Sequence, residues 1–87
     1  DANSHFIKYI NSDIAGMNIE ITKTLYDAIL KCYNNVKCGG IVNIRNDKNY
    51  YLKVGNTITN NNANLIAWLK NPSYFAKQKV AYKYFRK

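Results

Sequence analysis

The two cysteines, Cys32 and Cys38, constrain the fold of this chain most, because they lie only six positions apart. The chain has 87 residues, which is the length of one domain. A domain of this size buries only about 60–65% of the surface that its unfolded chain exposes. The core is therefore thin, and a bridge between the cysteines would raise the free energy of unfolding by about 2 kcal/mol for so short a loop. The spacing favours this bridge, and two unpaired buried thiols in a cytosolic protein are the alternative.

Hydrophobic periodicity predicts several short strands. Alternating or β-rich segments predict strands at 5–10, 17–21, 41–45, 50–54 and 65–70, the last with a short helix as the alternative. The four residues 46–49 join two of these strands into a hairpin. Segments 11–16 and 55–64, together with the pair Gly39–Gly40, are predicted to be turns or loops because of their polar residues and glycines.

One helix is predicted in front of the first cysteine. Thr22 or Thr24 can cap it, and Asp27 follows Thr24 at the spacing of a capping box. Its apolar stripe consists of Leu25, Ala28, Ile29 and Cys32. Asn34 and Asn35 are expected to end the helix, since asparagine tolerates the left-handed conformation. The pattern predicts an α+β fold with an antiparallel sheet packed on one main helix, and Trp68 in the core.

Residues 72–87 are predicted to be a basic, aromatic extension of the single domain that spans 1–87. The segment follows Asn71-Pro72-Ser73, which stops the preceding strand. Within it, 74–79 is predicted to be a helix and 80–85 a strand.

The order of these motifs resembles a PAN/apple domain over residues 6 to about 70. That family has a turn with Asp and Gly, a helix carrying C-x-x-x-C, a third cysteine, a strand, and then C-Y-L-K. The corresponding segments here are NSDIAG at 11–16, Ala28-x-x-x-Cys32, Cys38-Gly-Gly-Ile, and Asn49-Tyr-Tyr-Leu-Lys53. The resemblance implies a bridge between Cys32 and Cys38.

The chain departs from the family at a second bridge, which usually joins the helix to the strand after the hairpin turn. The matching positions are Ala28 and Tyr50, so this bridge is absent. A small residue on the helix facing a large one on the strand could fill the same volume. Ala28 is therefore predicted to pack against Tyr50. Ile41 and Asn43 also stand where the family has an aromatic pair.

The formal net charge of +8 indicates attraction to anions such as glycans, acidic proteins or nucleic acid. The alternative is that the lysines only keep the protein soluble. The candidate ligand-binding residues are Arg45, Lys48 and Lys53 beside the hairpin, Lys37 before the second cysteine, and Lys77, Lys79 and Lys83 in the tail. Arginine offers a fork for sulfate or carboxylate, and lysine acts as a point charge.

Enzymatic activity is not expected, and neither is a cofactor. His5 is the single histidine, and the carboxylates show no paired spacing. Asp13 and Asp27 are explained as turn and cap residues. Zinc would have at most Cys32, Cys38 and the distant His5 as ligands, at no recognisable spacing.

A binding module is the leading functional expectation. PAN/apple domains are extracellular modules that bind proteins or carbohydrates, so the resemblance implies a protein or acidic glycan partner and a secreted or virion-surface location. The alternatives are a nucleic-acid-binding protein, suggested by tyrosines and lysines interleaved in the tail, and a small secreted toxin. No membrane span is expected, since the longest apolar runs are too short.

Overall fold

The computed structural model describes residues 5–60 and 63–72, which form one helix and seven strands. The elements are β1 (Phe6–Ile10), β2 (Ser12–Ala15), β3 (Asn18–Thr22), α1 (Leu25–Tyr33), β4 (Cys38–Ile44), β5 (Tyr50–Val54), β6 (Thr57–Asn60) and β7 (Leu65–Lys70). Five strands form an antiparallel sheet in the order β1-β7-β4-β5-β3, and β2 pairs with β6 in a second sheet. The α+β class, with one helix and an antiparallel sheet, is confirmed.

The helix begins at the cap that the sequence predicts. The Oγ1 of Thr24 accepts a hydrogen bond from the Asp27 N–H at 3.1 Å, which satisfies one of the free amides of the first turn. The predicted mechanism at the other end is wrong, since Asn34 has φ −91° and is not left-handed. Its side-chain Nδ2 instead donates to the Leu30 carbonyl at 2.9 Å. The helix therefore ends through a side-chain cap and not through a backbone reversal.

The main core lies between the helix and one face of the five-stranded sheet. The buried members of this cluster are Phe6, Ala28, Cys32, Cys38, Ile41, Leu52 and Trp68. Leu25, Ile29 and Tyr50 pack against it and remain partly exposed, so the predicted helix stripe and the core position of Trp68 are confirmed. Ala28 and Tyr50 belong to the same cluster, as the prediction for this pair requires, and the Tyr50 ring lies 6.0 Å from that of Trp68.

The two-stranded sheet covers the opposite face, so the described residues form three layers. Ile14 of β2 is fully buried against Val42 and Ala67. The prediction that 11–16 and 55–64 are turns or loops is therefore wrong, since β2 and β6 lie within these segments. The strands enter and leave through Asn11, Gly16 and Gly55, which all have positive φ, a conformation that asparagine and glycine tolerate.

The predicted turn at Gly39–Gly40 is also wrong, because both glycines lie inside β4. A side chain on Gly40 would collide with the Cδ1 of Ile14 and the backbone of Trp68. The glycine is present because β2 packs directly on β4 at this point. A register shift between Cys38 and Gly40 accompanies this packing, as is common where glycine interrupts a strand.

Candidate functional site

The Cys32–Cys38 disulfide joins the last turn of α1 to the first residue of β4. The two Cα atoms lie 5.2 Å apart, and both side chains are fully buried. The bridge predicted from spacing and from the family resemblance is confirmed. Such a bond is compatible with an extracellular location, where disulfides persist. The described helix has nine residues, and no described helix is long and apolar enough to span a bilayer.

Three exposed cations gather at the end of the sheet where β4 turns into β5. Arg45 and Lys48 lie in the turn itself, and Lys23 directly follows the adjacent strand β3. We call Lys23, Arg45 and Lys48 the turn-end surface. Lys23 was not among the candidates from sequence, because only the pairing of Thr22 with Tyr50 brings it beside the turn.

Polar side chains hold this turn in one shape. Asn43 is buried, and its Nδ2 donates to the carbonyl oxygens of Asp47 and Asn49 at 3.2 and 2.8 Å. The Asp47 carboxylate accepts hydrogen bonds from the Lys48 N–H at 2.7 Å and from the Tyr51 hydroxyl at 3.1 Å. The one carboxylate of the turn is thus hydrogen-bonded within it, and these bonds order the backbone that carries Arg45 and Lys48.

Two of the three cations of the turn-end surface are held by uncharged side-chain amides. The Nζ of Lys23 donates to Asn49 Oδ1 at 2.9 Å, and the Nη2 of Arg45 donates to Asn11 Oδ1 at 3.3 Å. Among the described residues the one salt bridge joins Lys31 to Glu20, at 2.6 Å. An amide orients a cation without cancelling its charge, and the three cations outnumber the single carboxylate of Asp47, so the turn-end surface keeps a net attraction for an anion.

The other predicted ligand-binding residues lie elsewhere. Lys53 is at the far end of β5, paired with Gly40, and its Nζ donates to Asn18 Oδ1 at 3.0 Å. Lys37 lies in the loop closed by the disulfide. The tail residues Lys77, Lys79 and Lys83 fall outside the described residues, as do the helix and strand predicted for the tail. The structure therefore separates Lys53 from the turn with which it was grouped.

A cleft of about 290 Å³ opens on the sheet face away from the helix. Its lining combines apolar residues of the sheet with polar residues at the margin. These are Val42, Ile44, Tyr51 and Leu65, and Asp13, Asn18 and Lys53. Sequence patterning missed the cleft, because β2, which contributes Asp13 to its margin, was predicted to be a turn.

Lys70 is a fully buried lysine at the end of β7, on the helix side of the sheet. Its Nζ donates to the Asn35 carbonyl oxygen at 2.9 Å, within the loop that the disulfide closes. Burial disfavours the charged ammonium and lowers the pKa of Lys70 to about 8. Burial likewise lowers the pKa of His5, whose ring lies 5.1 Å from that of Tyr33.

The lowered pKa of Lys70 predicts that the protein becomes more stable in mild alkali. An unfolded lysine has a pKa of about 10.4, so between about pH 8 and pH 10 the unfolded chain binds more protons than the folded one. Raising the pH in this window therefore favours folding. We expect the free energy of unfolding in urea to rise by about 1–3 kcal/mol across it.

The matched control for this prediction is Lys8→Met, which removes an exposed lysine. Lys70→Met should abolish the rise with pH, while Lys8→Met should retain it. The Asn35 carbonyl stays satisfied in Lys70→Met because it also accepts from the Cys38 N–H at 3.0 Å. An equal rise in all three proteins would show that Lys70 does not cause it.

Comparisons with known proteins assign no family: no family model, curated protein or solved structure matches the chain. Within the described residues, no three His, Cys, Asp or Glu side chains group as metal ligands. The site is therefore interpreted from its own geometry.

Proposed function

We propose that this chain is a non-enzymatic binding module that recognises an anionic partner, an acidic glycan or an acidic protein surface, outside the cell or on a virion surface. The resemblance to PAN/apple domains supports this class of function. The disulfide joins the helix to the sheet where the resemblance implies it. Ala28 and Tyr50, at the positions of the absent second bridge, share the helix-side core.

The turn-end surface is the observation that carries the proposal. Lys23, Arg45 and Lys48 are all exposed, and two of them are oriented by amide oxygens that leave their charge intact. A cation that already has a fixed direction loses less side-chain entropy when it binds. Arg45 supplies a planar fork for a sulfate or carboxylate, and the lysines add point charges.

The test measures binding of a heparin-like glycan at about 0.15 M salt, where exposed charges are screened beyond about 8 Å. The triple variant Lys23→Gln, Arg45→Gln, Lys48→Gln removes the turn-end surface. If each contact contributes about 0.5 kcal/mol, as exposed ion pairs do, the variant should bind about tenfold more weakly. Raising the salt concentration should narrow the difference in affinity between the wild type and the triple variant, because the contacts are electrostatic.

The matched control removes three charges from other positions, with Lys8→Gln, Lys37→Gln and Lys53→Gln. Its net charge equals that of the turn-end variant. Retention of near wild-type affinity in the control would locate the binding at the turn. Equal losses in both variants would show that only net charge matters, and a larger loss in the control would move the site away from the turn.

A further inference from the structure

The cleft on the sheet face away from the helix has an apolar floor. Val42 is almost fully buried there, while Ile44 keeps 41% of its surface exposed. Leu65 pairs with Ile44 across β4 and β7, and Tyr51 lies beside Val42. An apolar ligand can cover the exposed surface of Ile44. The binding free energy gained is proportional to the apolar area removed from water.

The margin of the cleft carries one positive and one negative side chain. Lys53 lies on β5, and Asp13 lies on β2 of the overlying sheet, so the two charges come from different layers. The remaining polar residue, Asn18, holds the Lys53 ammonium at 3.0 Å through Oδ1. The cleft is therefore close to electrically neutral, unlike the cationic turn-end surface.

These polar groups are held in place before any ligand arrives. The Oδ1 of Asp13 accepts the Ile14 N–H at 2.7 Å, and the Tyr51 hydroxyl donates to Asp47 at 3.1 Å. Groups that are fixed in advance cost little further entropy on binding. The cleft volume of about 290 Å³ is close to the lower end of the range for small-molecule pockets, about 300–1,000 Å³, so the cleft suits one small ligand.

We propose that this cleft binds a small zwitterion with an apolar body, the chemistry of a free aromatic or branched-chain amino acid. The ligand carboxylate pairs with the Lys53 ammonium, and its ammonium pairs with the Asp13 carboxylate. The apolar side chain covers Val42, Ile44 and Leu65. This site is separate from the turn-end surface and does not depend on the function proposed above.

The test uses three probes that share one ring: phenylalanine, 3-phenylpropanoate without the amine, and 2-phenylethylamine without the carboxylate. Dissociation constants come from NMR titrations that follow the Val42, Ile44 and Leu65 methyl groups. Phenylalanine should bind about fivefold more tightly than either truncated probe, the effect of one exposed ion pair of about 1 kcal/mol.

Two variants, each with a neutral side chain in place of a charged one, then show which residue pairs with which end of the ligand. Lys53→Gln should weaken phenylalanine and phenylpropanoate about fivefold and leave phenylethylamine unchanged. Asp13→Asn should weaken phenylalanine and phenylethylamine and leave phenylpropanoate unchanged. An asparagine at this position can still accept the Ile14 N–H, and Lys8→Gln serves as a distant control.

Several outcomes would overturn the proposal. They are no methyl shifts with any probe, shifts outside the cleft, and equal effects of both variants on all three probes. None of these results bears on the glycan experiment. Failure of the proposal for the cleft can therefore be distinguished from failure of the proposal for the turn-end surface. Unchanged amide spectra of the variants without ligand confirm that both remain folded.

Discussion

Gly16→Ala should destabilise the protein by about 4 kcal/mol or more, a large part of the 5–15 kcal/mol typical of a folded domain. Gly16 has φ +129°, and a Cβ there would lie inside van der Waals contact of the Val54 carbonyl oxygen. The backbones are this close because the Val54 N–H donates to the Met17 carbonyl at 2.8 Å. Gly55 meets the Ala15 carbonyl in the same way, so neither chain can move aside.

Asn46→Ala is the matched control, since Asn46 also has a positive φ, +72°, but lies in the exposed β4–β5 turn. It should cost only about 1–2 kcal/mol, the price of a left-handed alanine without a clash. Urea denaturation of both variants gives the comparison. Similar losses for the two variants would show that backbone conformation alone, and not the close approach of β2 and β5, sets the requirement for glycine.

Removing the disulfide with Cys32→Ala and Cys38→Ala should cost about 2–5 kcal/mol, the usual loss for a small bridged domain. About 2 kcal/mol of this comes from freeing a short loop in the unfolded chain. The rest comes from the two buried sulfur atoms, which pack with Ile41, Leu52 and Trp68. The loss should appear in urea denaturation of the double variant against the oxidised wild type.

Hydrogen exchange locates this effect within the fold. Amides of the last turn of α1 and the first residues of β4 should lose protection in the double variant, because the bridge joins these two segments. Amides in β1, which the bridge does not touch, should lose protection only by the drop in global stability. Uniform loss across all strands would contradict a local role for the bridge at the helix end.

The fold was predictable from sequence wherever burial follows a simple period. Ala28 and Cys32 recur at helical spacing, and 50–54 alternates, so α1 and β5 were identified. Strands β2 and β6 were missed because each has four residues and only a single buried or half-buried isoleucine, Ile14 or Ile58. Their polar neighbours match the composition of a loop. They become strands because they pair with each other over the sheet.

The candidate site was predictable only in part. The sequence identified Arg45 and Lys48 as cations beside a turn, but it could not pair Arg45 with Asn11, which is 34 positions away. Lys23 joins these residues only through the register of β3 on β5. Lys53 was grouped with them by sequence distance alone. The alternation along β5 instead places it over the cleft, beside Tyr51 and not in the turn.

The most direct test of the central claim is a competition between two polyanions for the wild-type protein at about 0.15 M salt. A fluorescent heparin-like glycan is displaced either by unlabelled glycan or by single-stranded nucleic acid of matched charge, with anisotropy as the readout. Weakening at higher salt does not separate the two, because nucleic-acid binding is equally salt-dependent. The account predicts that glycan displaces the label at a lower concentration than nucleic acid. Tighter binding of nucleic acid would contradict it, whereas no binding of either polymer would exclude the glycan and leave an acidic protein surface as the proposed partner.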